Sequence, residues 1–200
     1  MDEREQALLV EMTGRYAEPS LPWDVELPPP EIVDSVSGLA PGRALDLGCG
    51  FGRTCRYLAQ HGWQCDGVDF VEQAVLTARE RAAAAGLTDR VAFHVASVAA
   101  LDFLHPFYDL AVDVGCFHAQ AAPVRVQYAK QVARLLKSGG LFLLFAHLRE
   151  ESAGDEGRWV TANQIDALFL HDFTLERMVP GTTTVRDNTW PSGWYWLRRT

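Results

Sequence analysis

The chain is short of thiols, of cations and of long apolar runs. Its 200 residues include four cysteines, Cys49, Cys55, Cys65 and Cys116, with no CxxC pair. That scarcity argues against a disulfide framework, and free thiols are expected. His61, His94, His105 and His171 show no ligand spacing with Cys or carboxylates, so no metal is expected. Lys and Arg number 18 against 26 Asp and Glu, for a formal net charge of -8. The cations are scattered, and Arg198 and Arg199 alone make no nucleic-acid footprint. Such a surface repels phosphate backbones and anionic lipid heads, which excludes nucleic acid and membrane as expected partners. No stretch reaches the ~18 apolar residues of a membrane span, and the opening MDEREQALLVEMTGRY carries acids where a secretory leader carries bases. A cytoplasmic location is expected. There is also no repeat and no low-complexity linker, so one domain is expected over 1–200.

What is present is an alternation of short apolar runs with helical periodicity, beginning at residue 43. Strands are expected at 43–47 (RALDL), 63–69 (WQCDGVD), 91–95 (VAFHV), 108–113 (YDLAVD) and 141–146 (LFLLFA). Between them, Cys55, Leu58 and Ala59 form one helical stripe ended by Gly62, and Val71, Ala74, Val75, Ala78 and Ala82 form another ended by Gly86. A third, Val124, Tyr128, Val132, Leu135 and Leu136, leads to a Ser138-Gly139-Gly140 turn. The pattern predicts an α/β fold, a Rossmann-like doubly wound and mostly parallel sheet with five parallel strands. A helix over 162–170 behind a Thr161 cap is then followed by two strands, 173–179 and 194–197, with no helix between them, so a C-terminal hairpin should close one sheet edge. Ahead of the core lie an amphipathic segment (Ala7, Leu8, Met12) and a proline-rich connection, PSLPWDVELPPP.

Chemistry concentrates where the first strand enters a glycine-rich turn, Ala44-Leu45-Asp46-Leu47-Gly48-Cys49-Gly50-Phe51-Gly52-Arg53. Glycines let backbone approach a ligand closely, and the helix that follows offers free N–H groups to it. Dinucleotide enzymes share this turn, but the third glycine of GxGxxG would fall on Arg53, and Asp46 would meet a pyrophosphate with like charge. A zwitterionic amino acid attached to a sulfonium suits the mixture better. Asp69, about twenty residues on at the end of the second strand, can accept hydrogen bonds from two ribose hydroxyls. The same residue can instead cap the helix at Val71.

The ALDLGCGFGR run, the acidic CDGVDF strand end and the LLKSGGLFLLF segment, in that order, resemble the class I S-adenosylmethionine-dependent methyltransferases over residues 40–147. PWDVELPPP and DVGCFH resemble the small-molecule branch that includes thiopurine and tellurite-resistance methyltransferases. The resemblance implies a cofactor-binding core at 41–147, a helical and proline-rich cover at 1–40, and a C-terminal helix and hairpin at 148–200. It implies S-adenosylmethionine as cofactor and S-adenosylhomocysteine as product. Gly48, Cys49 and Gly50 would lie at the methionine end, Asp69 and Phe70 at the ribose and adenine, Ser97 and Val98 along the adenine ring, and Asp113 near the methionine amino group. Asp113 has an alternative role, hydrogen-bonding the turn that follows it.

The implied reaction is in-line methyl transfer to a small acceptor, a thiol, hydroxyl, amine or small anion. His118, past the fourth strand, is the candidate catalytic residue, as a base or an acceptor-positioning group. His147 is a weaker candidate after the fifth strand. Trp23 or one ring of the Trp190, Trp194, Tyr195 and Trp196 group would wall the acceptor pocket, with the 149–160 connection covering it. Two other classes stay open: an NAD-dependent oxidoreductase, and a non-catalytic S-adenosylmethionine-binding module.

Overall fold

The computed structural model describes residues 3–150, 159–185 and 188–200. One seven-stranded sheet runs β3-β2-β1-β4-β5-β7-β6, made of β1 (Arg43–Leu47), β2 (Gln64–Asp69), β3 (Val91–Val95), β4 (Tyr108–Val114), β5 (Leu136–His147), β6 (Phe173–Val185) and β7 (Asn188–Arg199). The first five strands pair in parallel. Strand β7 runs antiparallel to β5, with Leu144 opposite Tyr195, and β6 forms the edge. The direction of strand succession reverses between β1 and β4, where Leu47 pairs with Asp113. In open α/β sheets that reversal leaves a crevice at the carboxyl ends of the strands, which is where ligands bind.

Alternation along each strand feeds two cores. Leu45, Leu47, Phe142, Leu144 and Tyr195 face α5 (Ala122–Leu135) and α6 (Ala162–Phe169), against Tyr128, Val132, Ile165 and Phe169. Ala44, Leu110, Val112, Leu143, Trp194 and Trp196 face the other layer, against Ile32 and Val36 of α2 (Pro30–Ser37), Leu58 of α3 (Arg53–Gln60) and Val75 and Ala78 of α4 (Glu72–Ala84). Each of these fully buried large side chains contributes roughly 1.5–3 kcal/mol relative to exposure. The helix α1 (Glu3–Tyr16) has no buried residue and lies outside both cores.

The structure differs from the sequence reading in three places. The end of the proline-rich connection is helical: Pro30 starts α2 at a position where no N–H is needed, and Ile32 and Val36 supply a buried stripe one turn long. Strand β5 begins at Leu136, opposite Tyr108, and the expected Ser138-Gly139-Gly140 turn is a bulge inside it. Gly139 takes a positive φ of 76° there. The hairpin strands also extend beyond 173–179 and 194–197, as far as Val185 and back from Asn188. Apolar periodicity stops at Gly181-Thr182-Thr183-Thr184, yet pairing continues through Thr183 opposite Trp190 and a 2.8 Å hydroxyl contact between Thr184 and Thr189. That extension carries Trp190 to the site.

Candidate active site

The glycine turn closes tightly because Gly48 and Cys49 both donate their N–H groups to the Val68 carbonyl, at 2.8 and 2.9 Å. Gly48, at φ 72°, sits against the loop after β4, and a Cβ there would lie 2.4 Å from Cys116 Cβ. Gly52, also at φ 72°, precedes α3 with no side-chain cap. Its missing Cβ leaves room for the Phe93 ring, 2.6 Å away from where it would stand. The turn is thus drawn close to its neighbours on both sides, and only glycine permits it.

Three aspartates ring this turn, each in a different situation. Asp69 is 4% exposed. Its Oδ2 accepts from the Gly50 N–H at 3.0 Å and the Tyr16 hydroxyl at 3.3 Å, and its Oδ1 from the Val71 N–H at 2.9 Å. Burial raises its pKa. The ribose position and the capping position are therefore the same carboxylate. Asp46 is buried under the turn, with Cys55 Sγ at 3.6 Å, and burial pushes its carboxyl up to about 7. Asp113 is fully buried and accepts from Cys116 N–H (2.8 Å), Phe117 N–H (2.9 Å) and the Tyr128 hydroxyl (2.7 Å). It is not in the cavity wall, whereas Val114 and Gly115 are. These bonds are those of the turn-anchoring alternative, and they hold the loop after β4 that lines the cavity.

A cavity of about 840 Å³ opens along this edge. Its wall includes Asp46, Gly48, Cys49, Gly50, Asp69, Phe70, Ser97 and Val98. Helix α1 crosses over it with Leu8, Met12 and Tyr16, one turn apart, and Tyr16 packs on Phe51 (5.1 Å) and edge-on to Trp23 (6.1 Å). Ser97 donates to Glu5 of this helix at 3.0 Å and accepts from Ala99 N–H at 3.3 Å, so its hydroxyl proton is already committed. Burial holds the Cys49 and Cys116 thiols well above their usual range, which leaves them protonated and poor nucleophiles.

At the other end the wall is aromatic. His118, 4% exposed in the 3₁₀ turn Phe117–Ala119, accepts the His147 backbone N–H on Nδ1 at 3.0 Å. Its ring lies 4.6 Å from that of His147 and 4.8 Å from Trp159, with Trp159 5.8 Å from Trp190. All four line the cavity. A neutral imidazole that accepts on Nδ1 must carry its proton on Nε2. In the neutral ring, Nδ1 is thus occupied by the His147 N–H and Nε2 carries the proton. Residues 151–158 of the expected covering connection lie outside the described residues.

Tyr16, Arg125 and Trp159, all in the wall, were not singled out by sequence reasoning. Tyr16 continues the Leu8, Met12 stripe and was legible in principle. Arg125 also left a trace, a cation beside the apolar stripe of α5, at a residue that is 7% exposed. Trp159 shows no periodic context. Among the described residues no group of three or more His, Cys, Asp or Glu is arranged to hold a metal, and no helix is long and apolar enough to cross a membrane.

Comparison with known proteins gives a consistent picture. Residues 44–140 match the family described as methyltransferase domain. The chain is 31% identical over 124 residues to 2-heptyl-1-hydroxyquinolin-4(1H)-one methyltransferase of Mycobacteroides abscessus, covering 62% of this chain and 54% of that one. It superposes on Burkholderia thailandensis 1,6-didemethyltoxoflavin-N1-methyltransferase, a structure with bound 1,6-didemethyltoxoflavin and S-adenosylhomocysteine, with TM-score 0.78, at 21% identity and over 100% of this chain and 91% of that one. TehB of Haemophilus influenzae superposes with TM-score 0.76, at 16% identity and over 89% and 64%. The chain spans about half or less of the length of the curated relatives it matches.

Proposed function

We propose that the chain, whose residues 44–140 match the methyltransferase domain family, is a class I S-adenosylmethionine-dependent methyltransferase that methylates a small-molecule acceptor. One observation carries the reading: a single cavity joins the glycine turn and Asp69 to an aromatic compartment with a fixed donor, His118. The residues fit the cofactor. Asp69 has acceptor capacity for ribose hydroxyls beside the Gly50 N–H, Phe70, Ser97 and Val98 offer a slot for adenine, and Gly48, Cys49 and Gly50 supply close backbone at the amino-acid end. Asp46 and Asp69 place two carboxyl groups at that end, and any charge they carry repels a pyrophosphate.

S-adenosylmethionine, when bound, supplies a methyl group already activated on a sulfonium. The chain's own work is then to orient and to exclude water. The α1 helix and Trp23 cover the cofactor compartment, Trp159 and Trp190 wall the acceptor compartment, and His118, held through Nδ1, lines it as the positioning group for the acceptor. Two of the matched proteins, the hydroxyquinolinone and didemethyltoxoflavin methyltransferases, are named for small heterocyclic substrates, which supports an acceptor of that class. A nucleic-acid acceptor is not part of the proposal, since the chain carries 18 cations against 26 acids. The four free cysteines fit a reducing, cytoplasmic setting.

The test is calorimetry with S-adenosylhomocysteine and with NAD, followed by chromatography for S-adenosylhomocysteine release over a panel of small acceptors. Binding with release is expected. NAD binding alone would support the oxidoreductase alternative, and binding without release for any acceptor would support the non-catalytic module.

A further inference from the structure

Arg125 is a buried cation with no counter-ion among the described residues. It stands in the first turn of α5 at 7% exposure and lines the cavity. Its Nε donates to the Gln120 carbonyl at 2.7 Å and its Nη1 reaches Gln164 Oε1 at 3.5 Å, both neutral oxygens. No described residue accepts a hydrogen bond from Nη2, and Arg125 forms no ion pair among the described residues. Burial lowers its pKa, and a second cation, Arg149, adds to that shift. A guanidinium held this way costs several kcal/mol in an isolated chain unless a negative charge arrives to meet it.

The surroundings agree. Ala121 and Ala122, at the start of α5, are also in the cavity wall, and no side chain caps that helix. The acids that line the cavity, Glu5, Glu11, Asp24, Asp46 and Asp69, come from α1, its following segment, β1 and β2. None of the described residues of the aromatic compartment is acidic. His118 adds a donor, and its ring with those of His147, Trp159 and Trp190 forms an aromatic box. Arg4, Arg15 and Arg53 line the cavity at the end where those acids stand, whereas Arg125 lines it with no described acid of the aromatic compartment beside it.

We propose that the acceptor is a planar aromatic anion, whose ring lies among His118, His147, Trp159 and Trp190 and whose anionic group is paired with Arg125. This rests on the methyltransferase reading for the meaning of "acceptor", while the anion site itself stands on Arg125. Charge-assisted bonds to a guanidinium of this burial distinguish an anion from its neutral isostere by at least tenfold.

The experiment uses planar aromatic acids of one to three rings, each paired with its carboxamide. 4-Hydroxyquinoline-2-carboxylate and 4-hydroxyquinoline-2-carboxamide are one such pair. Binding is read by tryptophan fluorescence quenching with and without S-adenosylhomocysteine. At least one acid should bind the parent tenfold or more tightly than its amide. Arg125→Met should abolish that preference while keeping the parent's affinity for S-adenosylhomocysteine, and Arg125→Lys should restore part of it. Acids and amides binding alike, no acid binding at millimolar concentration, or a preference that survives in Arg125→Met would each overturn the proposal. Failure of S-adenosylhomocysteine to bind, with the acid preference intact, would instead count against the proposed function and leave the anion site standing.

Discussion

The His147 backbone N–H donates to Nδ1 of His118 at 3.0 Å, and this bond fixes the proton of His118 on Nε2. Two strand ends meet in this bond: the turn after β4 supplies the ring, and the end of β5 supplies the N–H that occupies its Nδ1.

His118→Gln retains an N–H donor and should keep acceptor kcat/KM within about fivefold of the parent, while His118→Phe, lacking it, should lose about tenfold or more, the value of one buried hydrogen bond. S-adenosylhomocysteine affinity should be unchanged in both. If the Gln variant is as impaired as the Phe variant, His118 acts as a base after all.

Asp69→Asn keeps one acceptor oxygen for the local N–H groups but loses the charge, and should weaken S-adenosylhomocysteine binding about tenfold, some 1.4 kcal/mol. Asp69→Ala should in addition lower the melting temperature, because the Gly50 and Val71 N–H groups lose their partner. Calorimetry and thermal melts separate the two effects. Unchanged affinity in the Asn variant would remove Asp69 from the cofactor site.

Tyr16 touches the site mainly through its ring, packed on Phe51 and Trp23, since its bond to Asp69 is long at 3.3 Å. Tyr16→Phe should therefore change S-adenosylhomocysteine affinity less than about threefold, and Tyr16→Ala should weaken it by roughly three- to tenfold, through lost apolar cover. Equal effects of the two substitutions would mean that the hydroxyl, not the ring, closes the compartment.

Asp46 predicts a pH dependence of stability. Its folded carboxyl titrates at about 7 because burial disfavours the charge, against an ordinary 3.8. The folded chain keeps this proton where the unfolded chain releases it, so the contribution is complete below about pH 4 and is lost as pH rises through about 7. Asp46→Asn removes the dependence. It should raise the melting temperature at pH 8 by several degrees, as about 1 kcal/mol corresponds to roughly 2–4 °C in a chain of this size. The gain should shrink toward pH 5, and a gain constant from pH 5 to 8 would contradict the assignment.

Much of the fold was legible because its signals are local. Runs such as RALDL and LFLLFA are apolar throughout, as strands covered on both faces must be, and Thr161 with Gln164 makes a capping box within four residues. The glycine turn was legible for the same reason, since Gly48, Gly50 and Asp69 each follow or end a strand whose sequence states its own conformation. The hairpin's reach was not, because Gly181 to Thr184 carries no apolar period and is ordered by pairing across to β7.

By itself, the sequence determined that a parallel sheet would form, that a glycine turn would stand at its switch point, and that a carboxylate would follow one strand later. Tertiary structure alone decided that Asp113 hydrogen-bonds its own turn, that His118 accepts on Nδ1 from the end of β5, that Tyr16 roofs the glycine loop, and that Arg125 is buried with no ion pair among the described residues. The division has a physical cause. Backbone conformation is set by neighbours along the chain, whereas the proton on a ring nitrogen and the partner of a buried charge are set by groups that meet only when distant elements pack.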